Sequence, residues 1–247
     1  DDVLIQFNQL IDRQRVLGGQ WDGIDASLQR RVDGMAELLA VAAHARKAWV
    51  EAVAARQVLP HRQAVLDAAE AAHELGQRMV TVGNWSRLQQ SPRVLALASA
   101  RAGLRRAQLA ATQADINLLA ALQLDGAYTA VAVPARLPDV PAQLAPADAP
   151  RQRAQALQAQ LPWLEGRRAH NAVRLATATH AVAHAMAVDS RQTELAERMF
   201  MAEETVLHYN GMLKSVWDLL EATQATAQAQ VATVAAERDF WLAEVDL

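Results

Sequence analysis

The stretches TVGNWSRLQ at residues 81–89 and YNGMLKSVWDLLE at residues 209–221 each interrupt a long alanine-rich run. The apolar residues of these runs recur with helical spacing. The run after the first stretch closes on DINLLAALQL at residues 115–124, and the run after the second closes on DFWLAEVDL at residues 239–247. Because the unit occurs twice, the sequence predicts a duplicated helical hairpin with a turn at its tip.

The composition favours closely spaced helices over a thick globular core. Hydrophobic residues make up 52% of the 247 residues, but many are alanine, and aromatic residues are only 4%. Small side chains let helices approach one another, with leucine, valine and tryptophan as occasional knobs. We therefore predict an all-α fold of long antiparallel coiled-coil hairpins.

Several classes of function are excluded or disfavoured by the residues present. The net charge of −3 gives no basic field, so nucleic acid is not an expected partner. The chain has no cysteine, which removes disulfides, thiol catalysis and zinc–thiolate sites. No apolar run approaches the roughly 20 residues that a membrane-spanning helix needs. The chain begins Asp-Asp, which we interpret as a mature or trimmed start.

The repeat predicts three segments. The first hairpin repeat is expected over residues 1–126, with its tip near residues 81–91. A proline-rich linker is expected over residues 127–150. The second, shortened hairpin repeat is expected over residues 151–247, with its tip near residues 209–215. Residues 1–23 have a mixed pattern, with a short extended piece and three glycines.

The first helical arm of this hairpin is predicted to begin near Ile24 and to run to Val80. Pro60 either kinks this helix or divides it into two helices in series, because proline removes a backbone hydrogen bond. The second arm is expected to start at Ser91, a capping residue followed by Pro92 at the first helical position. It is expected to end at Leu122.

The positions of the prolines define the linker and the start of the second hairpin. Five of them forbid a continuous helix in the linker, where Ala127–Val133 forms at most one short strand. These prolines are Pro134, Pro138, Pro141, Pro146 and Pro150. From Arg151 the helical pattern returns, is broken once at Pro162, and ends in a helix from about Ser215 to Asp246.

Catalytic and metal sites are not expected. His180 and His184 have a spacing that can bind a metal, but no third ligand accompanies them, so they are interpreted as a surface pair. The sequence has no nucleophile motif and no glycine-rich phosphate loop after a strand. Neither enzymatic activity nor a cofactor is predicted.

The ordered set of both tips and the LPDVP motif at residues 137–141 resembles the TolC-like outer-membrane factor family, the outer membrane efflux proteins. The resemblance covers Ala43–Leu124, this motif and Glu203–Leu247. It implies a homotrimer in which each protomer adds two helical hairpins to a periplasmic tunnel and strands to an outer-membrane barrel. It further implies docking to a periplasmic adaptor and, through it, to an inner-membrane pump.

The sequence departs from the family in two ways. It has no stretches of alternating polarity of about 10 residues, which barrel strands need. Its second repeat is also shortened. We therefore expect the periplasmic tunnel portion of an outer-membrane efflux duct, lacking the barrel strands through which it would enter the membrane.

The resemblance assigns adaptor binding to the apolar and small residues of the two tips, although they alternatively pack against neighbouring hairpins. In the first tip these residues are Val82, Gly83, Asn84, Trp85, Ser86, Arg87 and Leu88. In the second tip they are Gly211, Met212, Leu213 and Ser215.

An acidic constriction at the tunnel entrance is the second implied site. Asp218 and Glu221 share one helix face, and a trimer turns them into stacked carboxylate rings that attract cations. Tyr209 and Lys214 match the family's gating positions. Alternatively, such acids simply stabilise a helix N-terminus. A further hypothesis pairs Arg87 with one of the two acids.

A function of another class remains open at this point. The chain could instead be a soluble helical-bundle scaffold or adaptor whose hairpins bind a protein and conduct nothing. The association state distinguishes the two, because the duct requires a trimer and the scaffold does not.

Overall fold

The computed structural model describes residues 26–144, 152 and 166–247, and it confirms the all-α prediction: these residues contain no strand. Helix α1 spans Ala26–Thr81 and α2 spans Arg87–Ala121. Helix α3 spans Gly166–Asp189 and leads through a π-helical turn at Ser190–Leu195 into α4, Ala196–Asn210. Helix α5 spans Val216–Asp246.

The chain forms two compact units. The first comprises Asp1–Ala42 and Pro146–Leu175, and the second comprises Ala43–Ala145 and Ala176–Leu247. The described part of the first unit is helical. All contacts given below lie within the second unit. No helix among the described residues combines the length and the apolar character needed to cross a membrane.

Helices α1 and α2 pack antiparallel through small side chains. Near their far ends, Ala48 and Ala52 form one buried cluster with Leu118 of α2. Closer to the turn, Val65 clusters with Leu97. Ion pairs follow the same order, since Arg56 contacts Asp115 at 2.8 Å and Glu70 contacts Arg101 at 3.1 Å. Residue numbers rise along one helix while they fall along the other, as a hairpin requires.

Helix α5 is the central element of the second unit because it contacts α1 and α2 on one side and α3 on the other. Ala227 joins the cluster of Val65, and Val234 packs against Val50 and Val53 of α1. On its other side, α5 buries Phe240 against Ala183 and Ala187 of α3. Helix α5 therefore packs against the hairpin of α1 and α2 on one side and against α3 on the other.

The π-helical turn faces α5 through polar contacts. The hydroxyl of Ser190 lies 3.1 Å from that of Thr233, and Arg191 donates to the carboxylate of Glu237 at 2.7 Å. Burial raises the pKa of Glu237, and the charge of Arg191 opposes that shift. Arg191 also lies 3.1 Å from Asp139. This turn thus ties the proline-rich segment to the second hairpin.

The described part of the linker, up to residue 144, contains no strand, which is compatible with the prediction of at most one at 127–133, and it is docked on the helices. The Leu137 side chain is buried, and its backbone N–H donates to the Gln57 amide oxygen at 2.9 Å. The indole of Trp241 donates to the carbonyl of Pro138 at 3.0 Å. Prolines leave the backbone carbonyls of this segment without helical partners, and side chains from the bundle bind them instead.

One predicted helix boundary was wrong, and one open alternative is decided. Helix α1 continues through Pro60 as one element, which excludes two helices in series. Helix α2 begins at Arg87, not at Ser91, because Ser86 and Gln89 close a capping box one turn earlier. Pro92 lies inside α2. Residues 1–23, Pro146, Pro150 and the break at Pro162 lie outside the described residues.

Candidate functional site: the two tips

The first tip, residues 82–86, is a left-handed turn built on glycine. Helix α1 ends at Thr81, and Gly83 adopts φ of 82°. The N–H of Asn84 donates to the carbonyl of Met79 at 2.9 Å, and that of Gly83 donates to Val80 at 3.0 Å. This is the Schellman arrangement that satisfies the last carbonyls of a helix.

The second tip, residues 211–215, repeats the turn with a different residue in the left-handed position. The N–H of Leu213 donates to His208 at 2.8 Å, and that of Met212 donates to Tyr209 at 3.0 Å. Here Met212 has φ of 59°, while Gly211 lies one residue earlier with φ of −80°. The glycine does not mark the left-handed residue in this tip.

Each tip closes on a serine that caps the next helix. The backbone N–H of Ser86 donates to the side chain of Gln89 at 2.8 Å, and that of Ser215 donates to Asp218 at 2.8 Å. The Ser215 hydroxyl donates to the same carboxylate at 2.7 Å. These hydrogen bonds lower the pKa of Asp218, the hydroxyl contributing most. The capping role alone explains why an acid occupies position 218, and it requires no contact with a second copy of the chain.

Stacked tryptophans hold the two tips together at one end of the unit. The rings of Trp85 and Trp217 have centroids 4.7 Å apart and an interplanar angle of 20°. The guanidinium of Arg93 lies 5.1 Å from the centroid of the Trp217 ring, within cation–π range. A Cβ on Gly76 would lie 3.4 Å from the Trp85 ring, so glycine leaves room for the indole. Trp85 is thus half-buried by its own chain, in agreement with the packing alternative.

The remaining apolar side chains of the tips point into solvent. They belong to Val82, Leu88, Met212 and Leu213, which are all strongly exposed. Met212 reaches 93% exposure while it holds a left-handed backbone that disfavours its side chain. Asn84, Ser86, Arg87, Gly211 and Ser215 are exposed as well. The structure therefore gathers these residues into one surface.

The predicted entrance residues are only partly brought together. Lys214 lies 3.8 Å from Asp218, whereas no contact within the described residues joins Tyr209 to Lys214. Glu221 is exposed on α5. Within the described chain no ion pair links Arg87 to either acid, so that pairing does not occur in one copy. The sequence analysis did not identify Arg93 as a tip residue. The available signal that the tips meet was the tryptophan beside each capping serine.

The sequence predicted a surface pair of histidines, and this is wrong for His180, which is buried, whereas His184 is partly exposed. His180 is buried, with its ring 5.2 Å from that of Phe240 and its Nε2 2.5 Å from the carboxylate of Glu244. The His184 Nε2 lies 2.7 Å from the carbonyl of Pro141. Both imidazoles are engaged in packing and local contacts. No cluster of three metal-ligating side chains occurs in the part of the chain that the structure describes.

Met212→Gly is expected to raise the free energy of unfolding by about 0.5–1 kcal/mol, because glycine removes the left-handed backbone cost. Urea unfolding measures the change. Leu213→Gly is the matched control, since Leu213 is exposed but has no positive φ, and this change is expected to lower stability. Equal losses in both variants would contradict the assigned strain.

Two solved structures share the helical fold of this chain. A membrane protein from Pseudomonas aeruginosa matches with a TM-score of 0.57 and 16% identity, over 85% of this chain and 67% of that protein. CusC, whose crystal structures concern conformational changes accompanying folding and transmembrane channel formation, matches with a TM-score of 0.61 and 12% identity. That match covers 100% of this chain and 88% of CusC. No protein-family profile and no curated protein sequence matches the chain. Identities this low establish the fold alone.

Proposed function

We propose that this chain forms the periplasmic helical wall of a TolC-like outer-membrane efflux duct. Three copies close into a ring through the two outer helical edges of the second unit. The observation that carries the proposal is an exposed apolar stripe on α2 that matches a stripe on α3 and α4. The likeness of the fold to CusC supports the same assignment.

The stripe on α2 is a heptad row left without a partner in the single chain. Leu88, Leu95, Leu109 and Ile116 are all strongly exposed, and Ala102 fills the gap between them. Residues one heptad apart lie on one face of a helix that packs in a coiled coil. An exposed row of this length is costly in water and indicates a covered surface in the working assembly.

Exposed apolar residues of α3 and α4 recur at the same sequence spacing in the opposite chain direction. Met186, Phe200 and Leu207 are all strongly exposed. The π-helical turn at Ser190–Leu195 shifts the helix face between Met186 and Phe200, so the matched part of this stripe is Phe200 and Leu207 on α4. When the tips of two copies are level, the pairs are Leu88 with Leu207 and Leu95 with Phe200. Matched spacing favours a second copy over an unrelated partner.

Charge is complementary between the two edges. The exposed side chains beside the α2 stripe include Arg87 and Arg105. Beside the other stripe, α4 exposes Glu197 and Glu203. Opposite charge on the two edges favours their pairing with each other over the pairing of like edges. Because the two edges differ, the contact is heterologous, and it generates a ring if the rotation between copies closes.

The tips then lie together at one end of the ring, where they are free to dock a periplasmic adaptor that leads to an inner-membrane pump. Their exposed side chains outside the stripe, Val82, Met212 and Leu213, are of the kind that interfaces bury. In such a ring, Glu221 with Asp218 is proposed to form the acidic constriction, and Tyr209 with Lys214 its polar links. Passive export of a substrate through this entrance is the proposed activity.

Sedimentation of the full chain tests the association on which the duct depends. We expect a concentration-dependent step from monomer to trimer with no larger species, because a closed ring leaves no free edge. A strict monomer over the whole accessible concentration range would contradict the proposal and favour a scaffold role. Open-ended polymers would contradict ring closure.

A further inference from the structure

An apolar groove lies between α1, α2 and α5, and its two ends differ in charge. It encloses about 370 Å³, which lies within the range of small-molecule sites. Alanine and valine side chains form its walls, among them Val58 of α1, Ala107 of α2 and Val234 of α5. Its length follows from α1, where Glu51 and Arg62 at its two ends lie roughly 16 Å apart along the helix axis.

One end of the groove carries two arginines whose charge is not neutralised. Arg62 and Arg106 both line it, and neither makes an ion pair within the described residues. The same two arginines border a smaller polar recess of about 140 Å³, to which Gln224 and Gln228 of α5 contribute. Gly103 lies beside them, and a Cβ there would meet the Arg62 guanidinium at 3.8 Å. Guanidinium and amide donors thus converge at a single end.

The opposite end has no excess of positive charge. Glu51 lies there, and Arg238 is bound to the carboxylate of Asp239 at 2.6 Å. The groove is therefore apolar along its length and cationic only at the Arg62 end. A ligand that fits this distribution has one anionic head and one unbranched aliphatic tail.

We infer that the groove binds a single-chain alkyl carboxylate, with the carboxylate between Arg62 and Arg106 and the tail along the alanine and valine walls. Arginine binds carboxylate through paired, charge-assisted hydrogen bonds. The tail gains affinity from the apolar area that it removes from water. This inference goes beyond the proposed duct and does not depend on it, because all the lining residues belong to one copy.

Titration calorimetry of the full chain with dodecanoate, below its micelle concentration, tests the inference. We expect saturable binding of one ligand per chain. Decanoate and octanoate are expected to bind more weakly, by about two- to four-fold for each methylene removed. The double change Arg62→Gln with Arg106→Gln is expected to weaken binding at least about ten-fold, because two charge-assisted contacts are lost.

The matched control is Arg46→Gln, which removes the same charge from an exposed position of α1 outside the groove. Its affinity is expected to stay within about two-fold of the wild type. Ala107→Leu, which fills the groove and leaves both arginines in place, is expected to abolish binding. Absence of saturable binding to the wild type overturns the inference, as does equal binding by the double variant or no dependence on tail length. A chain that forms trimers but binds no dodecanoate overturns only this inference, and the proposed duct stands.

Discussion

Phe240→Ala is expected to lower the free energy of unfolding by about 3–5 kcal/mol, the usual cost of emptying a buried aromatic site. The Phe240 side chain has 0% exposure and packs between Ala183 and Ala187. Its ring also contacts those of His184 at 5.6 Å and Trp241 at 5.0 Å. The alanines of this cluster, Ala183, Ala187 and Ala243, are too short to fill the cavity.

The matched control is Phe200→Ala, which removes the same atoms from a ring that is 58% exposed. This change is expected to alter the stability of the single chain by less than about 0.5 kcal/mol. Urea unfolding at a concentration where the chain is monomeric measures both. Similar losses for the two variants would contradict the placement of Phe240 as the anchor between α3 and α5.

Leu95→Asp combined with Leu109→Asp is expected to weaken self-association by more than about a hundred-fold. Burial of a leucine contributes about 1.5–3 kcal/mol, and each 1.4 kcal/mol is a factor of ten in affinity. Both side chains are strongly exposed in the single chain, so its helicity and stability are expected to change little. Sedimentation equilibrium across a concentration series measures the association constant.

Gln108→Asp is the control for this variant, because Gln108 is exposed on α2 but lies away from the stripe. It adds a negative charge to the same helix and is expected to leave association nearly unchanged. If the double aspartate variant associates as tightly as the wild type, the α2 edge is not an interface. If Gln108→Asp is equally disruptive, added charge and not the stripe determines association.

The sequence predicted the class of fold because helical spacing and glycine turns are local signals. The last helix was placed within a residue, since α5 spans Val216–Asp246 and was expected from about Ser215 to Asp246. The start of α2 was placed four residues too late. Ser91 misled the prediction because the capping box at Ser86 competes with it locally, and a box satisfies two backbone donors. The repeat boundaries and the coiled-coil register remain predictions.

Contacts between distant residues were beyond the reach of sequence patterns. Nothing local indicates that Trp85 stacks on Trp217, or that His180 is buried beneath Phe240. The docking of the proline-rich segment on the helices was not predicted for the same reason, since Gln57 and Trp241, which bind its backbone, are distant in the sequence. The partner-binding and entrance roles of the tips remain proposals, because each requires a second molecule.

Disulfide trapping between copies tests the pairing of the α2 edge with the α3–α4 edge most directly. The chain has no cysteine, so Leu95→Cys with Phe200→Cys introduces the only two thiols. Mild oxidation is predicted to give covalent dimers and trimers and nothing larger, while either single variant gives no crosslink. Leu95→Cys with Met186→Cys is out of register by roughly 21 Å along the helix, beyond the reach of a disulfide, and is predicted to stay uncrosslinked. Crosslinking by the single variants, or by the mismatched pair as readily as by the matched one, would contradict the edge-to-edge ring.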